Sequence, residues 1–238
     1  MNKTLIEWCD YTWNPATGCK HGCSYCYARK IAERFKGSKA WPYGFEPHFY
    51  PERLQDPAKM KKPQTIFVCS MADLFGDWVP YEWQHRVFDA CMDASRHTYI
   101  FLTKNPRGME VALARWKDEH HLMIDENAEA FERWWFGVSD GDRIYEGNYD
   151  PIVALRRVPS KNLFISFEPL LIQYEAVNLH GIKQVIIGAQ TNPSVAVTPE
   201  MVQPIGAATS PGTIAMFCKD SMPTWAKCRR ELCWSVHK

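Results

Sequence analysis

A chain of 238 residues, 46% of them hydrophobic, can bury one substantial core, and its size suits a single α/β domain over 1–238 better than two small ones. No apolar run approaches the roughly 20 residues that cross a bilayer, and MNKTLIEWCDYTW is too broken by charge for a signal peptide, so the expectation is a soluble cytoplasmic protein with no membrane partner. Nine cysteines in a compartment that keeps thiols reduced make a poor disulfide framework, and metal binding or thiol chemistry explains any tight cluster better. The net charge of +1 hides an uneven distribution: residues 1–64 carry eleven Lys/Arg against six Asp/Glu, and residues 110–147 carry ten acids against four bases. A basic N-terminal third fits an anionic partner such as nucleic acid, and it fits ordinary solvated faces equally well.

In chain order, YTWNPAT reads as an irregular first strand, a cysteine-bearing loop follows, and IAERF begins a helix. Residues 37–64, rich in Pro, Gly, aromatics and Lys with no clean period, read as an ordered insertion. Then come short β-rich apolar runs: TIFVCS at 65–70, TYIFLT at 98–103, WFGVS at 135–139, LFISFEP at 163–169, QVIIGA at 184–189 and TIAMFCK at 213–219. Between them lie segments of helical period at 80–95, 107–117 and 150–157, opened by Pro80 or Asp150. Continuously apolar strands alternating with helices predict a parallel sheet covered by helices, and the unit count favours a partial (β/α)6-type TIM barrel over an open doubly wound sheet.

The strongest chemical signal is Cys19-Lys20-His21-Gly22-Cys23-Ser24-Tyr25-Cys26, three thiols on a glycine-containing loop just before a helix. Such a loop can wrap three sulfurs around one face of a [4Fe-4S] cluster and leave one iron open to a ligand. Zinc with His21 or Cys9 as fourth ligand is the alternative, although structural zinc sites favour paired knuckles and no second pair is present. Cys218, Cys228 and Cys233 are too loosely spaced to argue for a second cluster, Cys69 and Cys91 read as core, and His120-His121 reads as part of a charged helical stretch rather than a metal site.

This spacing, with Tyr25 directly before the third cysteine, resembles the cluster motif of the radical SAM superfamily. The segments IEWCDYTWNPATGC, FVCSMADLFGDWVP, IFLTKNPRG, FGVS, ISFEPLL and VIIGAQT stand in the order seen in a phage-associated domain-of-unknown-function family of radical SAM character. Gly188-Ala189-Gln190-Thr191 departs from that family's Gly-Gly-Glu-Ser-like turn, and Asp140 stands where Val-Glu usually follows the serine. The resemblance implies a cluster held by Cys19, Cys23 and Cys26, S-adenosylmethionine (AdoMet) on its open iron, cleavage to a 5′-deoxyadenosyl radical, and an external one-electron donor such as flavodoxin or ferredoxin. It places Ser70 and Asp73 near the methionine end, Ser139 near the ribose, and Tyr25 as a cap on the adenosyl pocket. Lys104 and Glu168 stand at strand ends where barrels gather ligands. Lys104 either pairs with a carboxylate or phosphate or is a solvated charge; Glu168 either meets substrate or closes a core network. The basic third and the aromatic insertion favour a nucleobase or nucleic-acid substrate, a hypermodified thymine in phage DNA among them. The alternatives are a radical enzyme for a peptide or small metabolite, and a non-catalytic Fe–S or zinc protein that binds nucleic acid.

Overall fold

A computed structural model describes residues 1–121, 131–142, 150–209, 213–226 and 229–236. The chain enters through β1 (Asn2–Lys3) and β2 (Tyr11–Trp13), which pair antiparallel, then forms a small antiparallel ribbon from β3 (Ala16–Thr17) and β4 (His48–Phe49). The six apolar runs follow as β5 (Thr65–Val68), β6 (Thr98–Thr103), β7 (Trp134–Ser139), β8 (Leu163–Phe167), β9 (Gln184–Ile187) and β10 (Ala215–Cys218). All six pair in parallel with their neighbours and β5 pairs in parallel with β2, so seven parallel strands stand side by side in chain order. A doubly wound sheet would reverse direction part-way; this order, β1-β2-β5-β6-β7-β8-β9-β10, never does. The sheet is open among the described residues, with β1 and β10 at its edges, and it has one parallel strand more than the expected six.

Strands without polar alternation need both faces covered. On one face Val68, Phe101, Phe136, Ile165 and Ile187 pack in the large core, which also takes residues from α2 (Tyr81–Asp93), α3 (Pro106–Glu119), α4 (Pro151–Leu155) and α5 (Pro199–Ala208). Cys69 and Cys91 belong to that core, as expected, and so does Cys218; Cys228 lies outside the described residues. On the other face the alternate residues Phe67, Ile100, Trp135, Phe164, Ile186 and Phe217 form a second cluster. The chain ends seal it: the Trp234 ring stands 4.8 Å from Trp135, and its indole N–H donates to the Trp8 carbonyl at 2.7 Å. Gly137 is needed here, since a Cβ at that position would sit 2.4 Å from the Phe164 ring.

Because every parallel strand runs the same way, Asn14, Ser70, Lys104, Asp140, Glu168, Gly188 and Lys219 all emerge at one edge of the sheet. The remaining helix, α1 (Tyr27–Arg34), buries Ala28 and Ala32 one turn apart against Phe45 of the insertion. Residues 37–64 contain β4 and a short 3₁₀ turn at Pro51–Arg53. No helix among the described residues is long and apolar enough to cross a membrane.

His97 fastens the end of the insertion to the sheet. It is fully buried, its Nδ1 accepts the Gln64 N–H at 3.1 Å, and its Nε2 lies 2.9 Å from the Pro57 carbonyl, which fixes a neutral imidazole with the proton on Nε2. Burial pushes its pKa below the ordinary 6.5. The unfolded chain therefore binds a proton that the folded chain refuses, so the stabilisation is complete above pH 6.5 and is lost as pH falls towards the lowered value. Urea unfolding from about pH 7.5 to about pH 5.5 should show stability falling, and His97→Gln, which keeps a donor and an acceptor but cannot titrate, should flatten that slope. Equal slopes in the two proteins would remove His97 as the titrating group.

Candidate active site at the carboxyl edge of the sheet

The cysteine loop is fixed to the sheet before its first thiol. Gly18 adopts φ +86°, donates its N–H to the Met71 carbonyl at 2.9 Å, and lies so close to the insertion that a Cβ would meet the Glu46 carbonyl at 2.3 Å. Asn14, at the end of β2, exchanges hydrogen bonds with the Ser70 hydroxyl and accepts the Met71 N–H at 2.9 Å. Downstream, Cys26 caps α1, its Sγ accepting the Arg29 N–H at 3.4 Å, so the positive end of the helix faces that sulfur. The Arg29 guanidinium reaches back to the Cys19 carbonyl at 3.2 Å and lies over the Phe45 ring. The two ends of the loop are thereby held to each other.

The three thiols are not disulfide-bonded and are half-buried. Burial pushes Cys19 up to about 12, with the nearby Asp73, Cys23 and Cys26 adding to the rise, and burial likewise raises Cys23. The three thiols stand on one short loop, none of them in a disulfide. Binding a cation there would release their protons and remove the repulsion.

Both fourth ligands that a zinc site would need are engaged elsewhere. His21 Nε2 lies 2.7 Å from Asp73 Oδ2, with the ring edge-on to Trp78. Cys9 is fully buried in the cluster on the opposite face of the sheet. The donor set therefore fits a group that takes three thiolates and keeps a position open.

Asp73 is the hub beneath the loop. Besides His21, its carboxylate accepts the Thr103 hydroxyl at 2.6 Å, the Lys104 N–H at 2.8 Å and the Phe75 N–H at 3.0 Å. Burial alone would raise its pKa, but these partners hold it below the ordinary carboxylate value. A second carboxylate, Asp142, accepts the Tyr25 hydroxyl and pairs with Lys104 Nζ at 2.8 Å, and the same ammonium lies 5.6 Å from the Tyr25 ring centre. Burial and the Asp142 hydrogen bond both drive the Tyr25 phenol far above its ordinary pKa, so it stays a neutral donor. At the next strand ends, Lys219 pairs with Glu168, and the pair crowds Gly188, where a Cβ would meet Glu168 Cγ at 2.9 Å. The buried Ser139 hydroxyl lies 3.4 Å from the Glu168 carbonyl. A groove of about 860 Å³ runs from His21 and Cys23 past Trp78, Lys104 and Asn105 to α3.

The model of a family described as Protein of unknown function (DUF5131) matches residues 3–229. The chain belongs to DUF5131. No curated protein matches it. Among solved structures, this DUF5131 chain is similar to a spore photoproduct lyase mutant with dinucleoside spore photoproduct, at TM-score 0.52 and 14% identity over 89% of this chain and 63% of that one. It is similar also to a spore photoproduct lyase mutant without that ligand, at TM-score 0.51 and 16% identity over 78% and 58% of the two chains. A double mutant with bound AdoMet and dinucleoside spore photoproduct matches at TM-score 0.50 and 14% identity, over 89% and 64%. The DUF5131 chain thus spans less than two thirds of those proteins, and at such identities the likeness concerns the fold.

The structure brings Tyr25, Asp73 and Lys104 into one network around the cysteine loop, sets Ser70 against Asn14, and places Ser139 beside Glu168. Of the open readings, Lys104 pairs with a carboxylate and Glu168 closes an ion pair. Sequence reasoning missed Asp142 and Lys219. A signal existed for each, because each stands at or just beyond a strand's carboxyl end. The Lys104–Asp142 pair is largely buried, with side chains 16% and 4% exposed, so Asp142→Ala should strand an ammonium and cost about 2–4 kcal/mol in urea unfolding. Lys104→Met in that background should recover part of the loss, and strictly additive effects would show that the pair does not couple.

Proposed function

We propose that this DUF5131 protein is a radical S-adenosylmethionine enzyme that modifies or rearranges a nucleobase. One observation carries the first half: three free thiols of one loop, Cys19, Cys23 and Cys26, sit at the carboxyl edge of a parallel sheet, while His21 is held by Asp73 and Cys9 is buried in the second cluster. When bound there, a [4Fe-4S] cluster with AdoMet supplies one-electron cleavage of the sulfonium to methionine and a 5′-deoxyadenosyl radical. The chain's part is to hold and shield. Cys19, Cys23 and Cys26 would ligate, and Cys26 also caps the N-terminus of α1. Asp73 and Asp142 are positioning residues that hold His21 and Tyr25, the residues two before and two after Cys23. Ser70, Ser139 and the Glu168–Lys219 pair present polar groups to a ligand at the carboxyl edge. An external one-electron donor of the flavodoxin or ferredoxin kind completes the chemistry.

Several observations support the nucleobase. The groove beside Cys23 has the volume of a small-molecule site. The insertion carries a row of rings, Tyr43–His48 at 4.2 Å and His48–Tyr50 at 4.7 Å, with the Arg53 guanidinium 3.7 Å over Tyr50. Tyr43 is exposed, and stacking rings next to cations suit single-stranded nucleic acid. Two of the similar structures hold a dinucleoside spore photoproduct, one of them with AdoMet. A hypermodified thymine of phage DNA is the narrower form of this reading, resting on the resemblance to a phage-associated family.

Anaerobic reconstitution with iron and sulfide, followed by EPR of the reduced protein, tests the first half. A [4Fe-4S]⁺ signal that shifts on adding AdoMet, together with 5′-deoxyadenosine as product, is the expected result, and Cys19→Ala, Cys23→Ala or Cys26→Ala should each abolish both. A colourless protein with stoichiometric zinc would overturn it.

The nucleobase half predicts single-strand DNA affinity that falls as salt rises, with Tyr43→Ala weakening it by about 1–3 kcal/mol in fluorescence anisotropy. Turnover of a free metabolite by a protein without DNA or RNA affinity at low salt would count against it.

A further inference from the structure

We propose that the outer helical layer carries a second metal site, for a zinc-class divalent cation, in which His85, Asp89 and His120 join α2 to α3. Their donor atoms all lie within 4.8 Å of one another. His85 and Asp89 are one turn apart on α2, and His120 caps the end of α3.

The hydrogen bonds decide which ring nitrogens face the centre. His120 Nδ1 lies 2.9 Å from the Trp116 carbonyl, which can only accept, so Nδ1 carries the proton and Nε2 the lone pair. That Nε2 points at Asp89 Oδ1 from 3.2 Å. His85 Nε2 faces Glu119 Oε2 at 3.3 Å, and Glu119 is itself held by the Arg115 guanidinium at 2.8 Å and the Tyr81 hydroxyl at 2.9 Å. His85 Nδ1 faces Asp89 Oδ2 at 3.0 Å, so the ring stands between two carboxylates, and the tautomer with its proton on Nε2 is the one that presents a lone pair to Asp89. His85 Nδ1, His120 Nε2 and the Asp89 carboxylate thus converge, and with both rings neutral and their lone pairs turned inward a cation between them relieves the repulsion.

Each donor also has the outer support that metal sites use. A carbonyl fixes the tautomer of His120, the Glu119 carboxylate faces the outer nitrogen of His85, and the Trp116 indole N–H orients Asp89 at 2.8 Å. The two nitrogens approach different oxygens of one carboxylate, His85 Nδ1 at 3.0 Å from Asp89 Oδ2 and His120 Nε2 at 3.2 Å from Asp89 Oδ1, so Asp89 links the two rings. Imidazole and carboxylate donors without sulfur suit zinc and its borderline neighbours. The three side chains are 29–39% exposed, so an ion can enter without unfolding the helices. The site lies on the helix layer and takes no part in the chemistry of the cysteine loop. It would brace the two helices that follow β5 and β6, the strands whose ends carry Ser70, Asp73 and Lys104.

A proton on either ring is the other way to relieve the repulsion, so the test is run at about pH 8, where an ordinary imidazole is neutral. Cluster-loaded protein is titrated with Zn²⁺ by calorimetry, and its zinc-edge X-ray absorption is recorded. Expected are one equivalent of zinc with nitrogen and oxygen neighbours at about 2.0–2.1 Å, a Zn²⁺-dependent rise in thermal midpoint, and at least tenfold weaker binding in both His85→Ala and His120→Ala. Sulfur neighbours at about 2.3 Å in place of that shell would put the zinc on the cysteine loop and overturn the site. Absence of stoichiometric binding, or unchanged binding in the double variant, would also overturn it. The absorption measurement on the unaltered protein decides the matter even if a variant fails to fold.

Discussion

The buried carboxylate of Asp73 is what the geometry of the cysteine loop depends on. A carboxylate out of water is costly unless its oxygens are satisfied, and here four donors from three segments satisfy them: His21 in the loop, Phe75 after β5, and Thr103 and Lys104 at the end of β6. That cost is what makes the hub specific, because a displacement of any one segment strands charge in the interior. Lys104 carries the tie onward. Its backbone N–H is fixed by Asp73 while its ammonium reaches Asp142, which takes the Tyr25 hydroxyl. His21 and Tyr25 stand two residues either side of Cys23, so the middle thiol is bracketed by two anchored rings joined through a single lysine.

Such a network is possible because the sheet never reverses its winding. Seven parallel strands in chain order send every strand end to one edge, and residues more than a hundred positions apart, such as Tyr25 and Asp142, meet there without long excursions. The arrangement leaves the second face of the sheet, with Phe67, Ile100, Trp135 and Phe164, in need of cover that the helices do not give. The two chain ends supply it, Trp8 from the N-terminal segment and Trp234 from the C-terminal one, joined by the indole hydrogen bond. Sealing the face with the chain's own ends leaves the opposite edge open for a site.

The parts legible in the sequence were those written in long apolar runs or tight motifs. All six β-rich runs became strands, because a strand buried on both faces has no polar alternation to obscure it, and the helices at 80–95, 107–117 and 150–157 are present within a few residues. β1 and β4 escaped notice because two residues carry no period. α5 escaped because Pro204 and Gly206 interrupt its interior, although Thr198-Pro199 before Glu200 is a fair opening for a helix. The cysteine loop stood out by spacing alone. Asp142, the shared carboxylate partner of Tyr25 and Lys104, had only its place just beyond a strand end to mark it, since pairing across more than thirty residues leaves no periodic pattern. His85 and Asp89 were invisible as a metal pair for the same reason: the residue that completes them lies on another helix.

The pairing of charges at the carboxyl edge bears on how the site treats an anionic ligand. Lys104 and Lys219, the two lysines at the strand ends, are held by Asp142 and Glu168. A carboxylate or phosphate arriving there would have to share or displace a carboxylate already in place, so the Coulomb gain is largely an exchange of one partner for another. Net charge therefore contributes little to discrimination at this edge. What remains is shape: the Trp78 ring in the groove and the narrow backbone approach at Gly188. With its charges already paired, this edge distinguishes ligands by shape and ring contact more than by charge.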